Sequence, residues 1–311
     1  MMISRAEDRA IIPTVRPTTV IRSSRLDNIL GAKIILVSET FQQTGSFKFR
    51  AAYHVATHVP QNLLITASSG NFGQALAYSC VLTGKSAIIV MPSTSAEVKI
   101  DAVRSYGARV ELIDIGKITR KQKIKELSRE YPQAYIASSS DDPLVIEGNS
   151  SLGREIGALD EDIDHVIAPV GGGGLISGII VGMREAGRST PITGAEPLLG
   201  NDAAQSLRAG QIVTLAAEPL TIADGARMLS VGKHNWKIIQ HGVDRITEVP
   251  EDKIVEAVRV LFTQANLKTE PTGALSIAAL LTGPSRYQNR KVCCVISGGN
   301  VDPKTYANML I

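Results

Sequence analysis

The sequence predicts an α/β fold with largely parallel sheets, and three features of the 311-residue chain point to it. Short runs rich in Ile, Val and Leu alternate with amphipathic stretches almost throughout. The run "IDHVIAPV" (163–170) is near-continuously apolar, as a strand covered on both faces must be. Three strand-like runs pass straight into glycine-rich turns: "SSGNFGQALA" (68–77), "VGGGG" (170–174) and "ISGGN" (296–300). Parallel βαβ units produce that rhythm.

Taken in chain order, "TGSFKFRAA" (44–52) opens a helix with Lys48 set between two phenylalanines. Strands follow over 62–68, 86–92, 108–114 and 133–138, each closed by turn or polar residues. A helix over 96–106 carries an imperfect apolar stripe of Val98, Ile100, Val103 and Tyr106, and "TSAE" (94–97) has capping-box spacing at its start. The helix over 117–131 is strongly charged and reads as solvated on one face. In the second half, strand 163–170 leads through four glycines into a helix ending near Ala186. Strand 191–197 carries the acid Glu196, helix 251–266 has a long apolar face, and strand 291–297 runs into "GGN". The stretch 198–243 lacks clear periodicity and reads as loops with short helices near the site.

Composition narrows the function. With 44% hydrophobic and 20% charged residues the chain is an ordinary globular one, long enough for two domains or one large one. A net charge of +3 without a basic run argues against nucleic acid or a membrane surface as partner. The three cysteines, Cys80, Cys293 and Cys294, are too few for a disulfide framework. Neighbours in a strand point to opposite faces, so Cys293 and Cys294 are poor candidates for pairing with each other. "MMISRAEDRAIIPTVRP" has no apolar signal core, and no run approaches the roughly 20 residues of a membrane span. A cytoplasmic protein is expected.

The chemistry lies in the turns. Four glycines, Gly171, Gly172, Gly173 and Gly174, between a buried strand and a helix expose several backbone N–H groups to one point. With the helix N-terminus they make a phosphate cradle. Gly172, Gly174 and Gly178 follow G-x-G-x-x-x-G, and Glu196 stands where an acid could bind a ribose, so a nicotinamide enzyme is a rival on this motif alone. It leaves Lys48 unexplained. Ser68, Ser69 and Asn71 offer hydroxyl, amide and N–H donors that could grip a substrate carboxylate; the plainer reading is a capped helix start. Ser297 stands at the edge of the third turn, where a hydroxyl can enter a cleft.

"TGSFKFRAA", "SSGNFGQALA", "DDPLVIEG", "PVGGGGLISG", "ADGARMLS", "EPTGA" and "SGGNVD" fall in the order found in pyridoxal-phosphate enzymes of fold type II. From about residue 15 to 305 the chain most resembles their serine racemase and threonine dehydratase branch. The resemblance implies two three-layer α/β domains with the cofactor between them. Residues 1–60 and 142–311 would form the larger, and 61–141 a smaller mobile substrate domain. It implies Lys48 as the lysine that bonds pyridoxal 5'-phosphate, its apolar flank favouring a free amine. Phe47 would pack on the ring, Asn71 would contact the ring 3-oxygen, Ser297 would partner the ring nitrogen, and Gly171 to Gly174 would hold the phosphate. Ser68, Ser69, Asn71 and Phe72 would line the amino-acid substrate, with Ser69 serving the opposite face of the α-carbon as in the racemases.

The implied reaction is dehydration and deamination of a β-hydroxy amino acid to a 2-oxo acid and ammonia. Serine racemisation and β-replacement of the cysteine-synthase kind are the alternatives. Glu196, the Gly200 carbonyl and Asp202 match the branch's divalent-cation site, suited to Mg or Ca. A homodimer is usual in such families. Three departures bear on the substrate: Phe72 where histidine is usual, Ala52 for a glycine, and "GNSSLG" (148–153) for a "GQGT"-like run.

Overall fold

A computed structural model describes residues 14–95 and 97–311. The reading of residues 1–13, the capping-box position Ala96 and the side chain of Val98 lie outside the described residues. The strands are β1 (Thr19–Arg22), β2 (Lys33–Ser38), β3 (Leu63–Ala67), β4 (Ser86–Pro92), β5 (Arg109–Ile113) and β6 (Tyr135–Ile136). They continue with β7 (His165–Pro169), β8 (Ile192–Pro197), β9 (Arg245–Val249) and β10 (Lys291–Ile296). The first six helices are α1 (Ser24–Leu30), α2 (Lys48–His58), α3 (Asn71–Leu82), α4 (Glu97–Ser105), α5 (Arg120–Glu130) and α6 (Pro143–Gly157). The rest are α7 (Gly174–Glu185), α8 (Asp202–Ala209), α9 (Lys233–Gly242), α10 (Glu251–Ala265), α11 (Leu275–Thr282) and α12 (Pro303–Leu310).

Two sheets form, a six-stranded one in the order β1-β2-β10-β7-β8-β9 and a four-stranded one in the order β5-β4-β3-β6. Every pairing is parallel except that of β1 with β2. The larger sheet is covered on both faces, and β10 shows why its sequence is apolar throughout. Val292, Cys294 and Ile296 enter the core shared with α10 and α11, while Cys293 and Val295 face α6 and α7. The two cysteines thus lie on opposite sides of one strand, and all three cysteines are free and buried. The core on one face of the smaller sheet takes Phe49, Ala52 and Val55 from α2 and Phe72 and Leu76 from α3.

The alternation read from the sequence corresponds to these elements, with instructive differences. The expected strand 133–138 shortens to two residues because Ser138 Oγ accepts from the N–H groups of Ser140 (3.3 Å) and Asp141 (2.9 Å), which turns the chain. A complete capping box occurs at Thr119 and Gln122, at the head of α5. The aperiodic stretch 198–243 holds α8 and α9 with a loop between them. The "GNSSLG" run lies inside α6, where its glycines admit neighbouring helices closely; a Cβ at Gly148 would stand 2.8 Å from the Cα of Ala51. Among the described residues no helix is long and apolar enough to cross a membrane.

In open parallel sheets, ligands gather beyond the carboxyl ends of strands where the order switches. Here β10 sits between β2 and β7, far apart in sequence from both. The turns after β10 and β7 are the "SGGN" and "GGGG" segments, and the segment after β2 leads to Lys48.

Candidate functional site

Lys48 is the first residue of α2, so the partial positive charge of the helix N-terminus already works against its ammonium. Its Nζ donates to the carbonyl of Ser139 at 2.6 Å and lies 4.9 Å from the centre of the Phe47 ring and 5.9 Å from that of Phe72. Desolvation lowers its pKa to about 8, against the attraction of Glu270. The N–H of Phe47 donates to the carbonyl of Ser297 at 3.0 Å, and Ser46 bridges to Gly298. This backbone pairing fixes the start of α2 against the end of β10 and brings Lys48, Phe47 and the buried Ser297 into one corner.

The glycine turn follows β7. Gly173 has φ +94°, a conformation open to glycine, and the helix begins at Gly174. The 138–141 turn lies directly against it: a Cβ at Gly174 would stand 2.7 Å from the carbonyl of Ser140, and one at Gly172 would collide with Ser140 Oγ. Asn235 Nδ2 ties the two together, donating to the carbonyls of Ser140 at 3.0 Å and Gly172 at 2.7 Å. Asn149 Nδ2 donates to the carbonyl of Gly174 at 3.1 Å. Because Ser139 holds Lys48 and Ser140 touches Gly172, one turn links the amine to the cradle. The residues fit a ligand bearing both a phosphate and a carbonyl: one end offers N–H groups and a hydroxyl, the other a depressed-pKa amine.

At the turn after β3, Ser68 Oγ accepts from the N–H of Gly73 at 3.2 Å. Ser68 therefore acts as the helix cap, and Ser69, partly buried beside it, does not. Asn71 opens α3; its Nδ2 donates to Glu270 Oε1 at 2.8 Å and its Oδ1 accepts from Asn300 Nδ2 at 2.9 Å. Phe72 is buried in the core beneath the turn with Phe49 and Ala52, under Lys48. Of the residues named from the sequence, Lys48, Phe47 and Ser297 meet directly, Gly171 to Gly174 join them through the 138–141 turn, and Asn71 joins through Glu270.

Three contributors were not singled out in the sequence. Glu270, in "EPTGA", is buried, and desolvation first and Asp224 second raise its pKa to about 8, with Asn71, Lys99 and Lys48 pulling the other way. An acid inside an otherwise uncharged turn was the available signal. Ser140 and Asn235 carried none, since their contacts reach far along the chain and use backbone carbonyls.

Glu196, in β8, and Asp202, at the head of α8, come together separately, with Gly200 between them in sequence. Glu196 accepts from the N–H groups of Ala203 and Ala204, each at 2.9 Å, at the head of α8. Asp202 is buried, and neither of its carboxylate oxygens makes a well-formed hydrogen bond among the described residues, although its own N–H and that of Val231 lie near enough to oppose burial weakly. Burial, then the neighbouring Asp202, pushes Glu196 well above the usual carboxylate range, and burial pushes Asp202 up to about 7. Among the described residues no three His, Cys, Asp or Glu side chains group around one metal position, so a cation here would need the Gly200 carbonyl and water as well.

The fold and the amine-plus-cradle pocket define a class, enzymes built around a phosphate-bearing carbonyl cofactor. The chain belongs to the pyridoxal-phosphate dependent enzyme family, whose sequence model matches residues 11–298. It is 34% identical to serine racemase of Schizosaccharomyces pombe over 297 residues, covering 94% of this chain and 91% of that one. It is 35% identical to L-threo-3-hydroxyaspartate ammonia-lyase of Saccharomyces cerevisiae, over 95% and 91% of the two chains. Among solved structures, a T.th. threonine deaminase superposes with a TM-score of 0.88 at 37% identity, over 94% and 96%. The nicotinamide alternative is thereby set aside, and the fold is that of type II pyridoxal-phosphate enzymes.

Proposed function

We propose that this chain dehydrates and deaminates a small β-hydroxy amino acid of the serine or threonine kind, giving a 2-oxo acid and ammonia. The observation that carries the reading is Lys48: an amine on a helix N-terminus, flanked by two aromatic rings, with its pKa brought down to about 8. Pyridoxal phosphate, when bound, supplies the electron sink for the substrate's α-carbon. Lys48 would hold the cofactor through Nζ, and the same Nζ, freed as an amine, would serve as the base that takes the α-proton. Gly171 to Gly174 hold the phosphate, and Ser140 Oγ adds a donor to them. Asn71 would donate to the ring 3-oxygen and Phe47 would pack on the ring. The N–H groups at the head of α3, with Ser68 and Ser69, bind and orient the substrate carboxylate, and Phe72 shapes the floor below. Ser297, a buried neutral hydroxyl, would partner the ring nitrogen as a weaker donor than a carboxylic acid, a setting suited to loss of a β-hydroxyl.

Glu196, Asp202 and the Gly200 carbonyl hold Mg²⁺ or Ca²⁺ in this reading. Two buried carboxylates with no basic side chain bonded to either among the described residues, and two oxygens of Asp202 without a well-formed hydrogen bond there, are the observations that fit. Residues 61–141 close over the bound substrate and exclude water. The unit is a cytoplasmic homodimer, whose size light scattering of the purified protein tests.

A second reading is racemisation. Ser69, on the turn over the site and free of the capping role, would return a proton to the opposite face, and the serine racemase relative is as similar as the ammonia-lyases. The test is one panel: L-serine, L-threonine and L-threo-3-hydroxyaspartate with the cofactor-loaded protein, read for ammonia, oxo acid and D-isomer. Ammonia release with serine or threonine is expected, and D-isomer alone would favour the second reading. Lys48→Ala is expected to lose at least about a hundredfold in rate; full retention would overturn the assignment.

A further inference from the structure

Asn71 is held on both sides. Its Oδ1 accepts from Asn300 Nδ2 at 2.9 Å and its Nδ2 donates to Glu270 Oε1 at 2.8 Å. Asn300 Nδ2 also donates to the backbone carbonyl of Thr44 at 2.7 Å. A carbonyl can only accept, so the Asn300 atom facing Thr44 must be nitrogen. That nitrogen offers its second N–H to Asn71, so the Asn71 atom facing it must be oxygen. The amide nitrogen of Asn71 is then turned to Glu270, with its other N–H left over. The direction of the whole string follows from one backbone carbonyl.

The anchor itself is unusual. Thr44 is a β-branched residue at φ 60°, a conformation such residues rarely adopt and keep only where the surroundings impose it. Beside it, Gly45 has φ +74°, and a Cβ there would collide with Asn300 Oδ1. Gly299 donates from its N–H to the carbonyl of Gly45 at 3.0 Å. The 44–45 turn is therefore shaped to seat the Asn300 side chain, and the strain at Thr44 points its carbonyl at the amide.

We infer that Asn300, anchored on the Thr44 carbonyl, and Glu270 are positioning residues that set which way round the Asn71 amide sits, so that it meets the cofactor as a donor. The inference rests on Asn71 as the cofactor contact proposed above. Turned around, Asn71 would present a carbonyl oxygen to the ring oxygen, two acceptors facing each other. Asn300 acts through Asn71 in this reading, and Glu270, besides accepting from Asn71, also acts on the charge of Lys48.

A double-mutant cycle tests this, read by the dissociation constant of pyridoxal phosphate and the visible absorption band of the bound cofactor. Asn300→Ala is expected to weaken cofactor binding by about tenfold and to shift the band, the effect of one hydrogen bond to a charged partner. In an Asn71→Ala background it is expected to add nothing, because its effect runs through Asn71. Should Asn300→Ala fail to fold, the isosteric Asn300→Asp carries the same cycle. Binding and spectrum unchanged in the single variant, or a loss that persists in full on top of Asn71→Ala, would overturn the inference. If Asn71→Ala itself binds the cofactor like the parent protein, the site reading of Asn71 fails instead.

Discussion

Two clusters of charge, one beyond the end of β2 and one at the end of β8, are built on opposite terms. In the first, Arg50 is wholly buried two residues after Lys48, and every donor it has is used. It meets Glu39 through Nε at 2.7 Å and Nη2 at 2.9 Å, and Glu155 through Nη1 at 2.7 Å and Nη2 at 3.0 Å. Burial pulls its pKa down, but Glu39 and Glu155 outweigh it and hold the guanidinium charged. In the second, Glu196 and Asp202 are two buried acids with no basic side chain bonded to either among the described residues. The first cluster is closed and structural: it joins the end of β2, the first turn of α2 and α6. The second is open, and the charge that would balance it is what a divalent cation supplies.

Breaking the closed cluster should have the larger effect. Arg50→Met leaves the buried carboxylate of Glu39 unpaired with the half-buried Glu155 beside it, and an uncompensated buried charge of that kind costs about 3–5 kcal/mol. A fall of that size in the denaturant midpoint, with m unchanged, is expected. A loss below about 1 kcal/mol would mean that the cluster relaxes into water.

The open cluster should respond to cation and to pH. Asp202 has a folded pKa raised from 3.8 to about 7, so the folded state binds its proton more tightly than the unfolded state does. In EDTA, stability is therefore fully present below about pH 4 and is lost progressively as pH rises through about 7, on the order of 4 kcal/mol. Saturating Mg²⁺ or Ca²⁺ should abolish that fall by pairing the ionised form. Asp202→Asn should remove the response to metal and Asp202's share of the pH dependence in EDTA, leaving the share that burial gives Glu196. A thermal midpoint at pH 8 that ignores EDTA and added cation would eliminate the metal site.

These contrasts also show what a sequence can carry. Lys48, the four glycines and Asn71 could be singled out because the features that mark them are local: an amine in an apolar flank, or a strand–glycine–helix step. Arg50, Ser140, Asn235 and Glu270 were not, because what makes them matter is a partner far along the chain: Glu155 lies 105 residues from Arg50 and Asn71 lies 199 from Glu270. Phe72 shows a subtler limit. The sequence pointed to the substrate, while the side chain packs into the core beneath Lys48, so its neighbours decide its part more than its position in the motif. The "GNSSLG" run likewise reflects the close crossing of α6 with α2 and α7.

The smallest effect should come from a third buried acid, Glu270, which stands between the two cases because its cation, Lys48, is itself reluctant to be charged. Burial raises Glu270 to about 8 and lowers Lys48 to about 8, with Asp224 and Lys99 also acting on Glu270. A raised carboxyl contributes stability below its unfolded pKa near 4.5 and loses it as pH climbs through about 8. Glu270→Gln keeps the shape and removes the titration. The cofactor-free variant should therefore match the parent in thermal midpoint at pH 5 and exceed it at pH 9. If the gap is the same at both pH values, Glu270 is ionised throughout and Lys48 carries its charge, which would place the proton on the lysine before any substrate arrives.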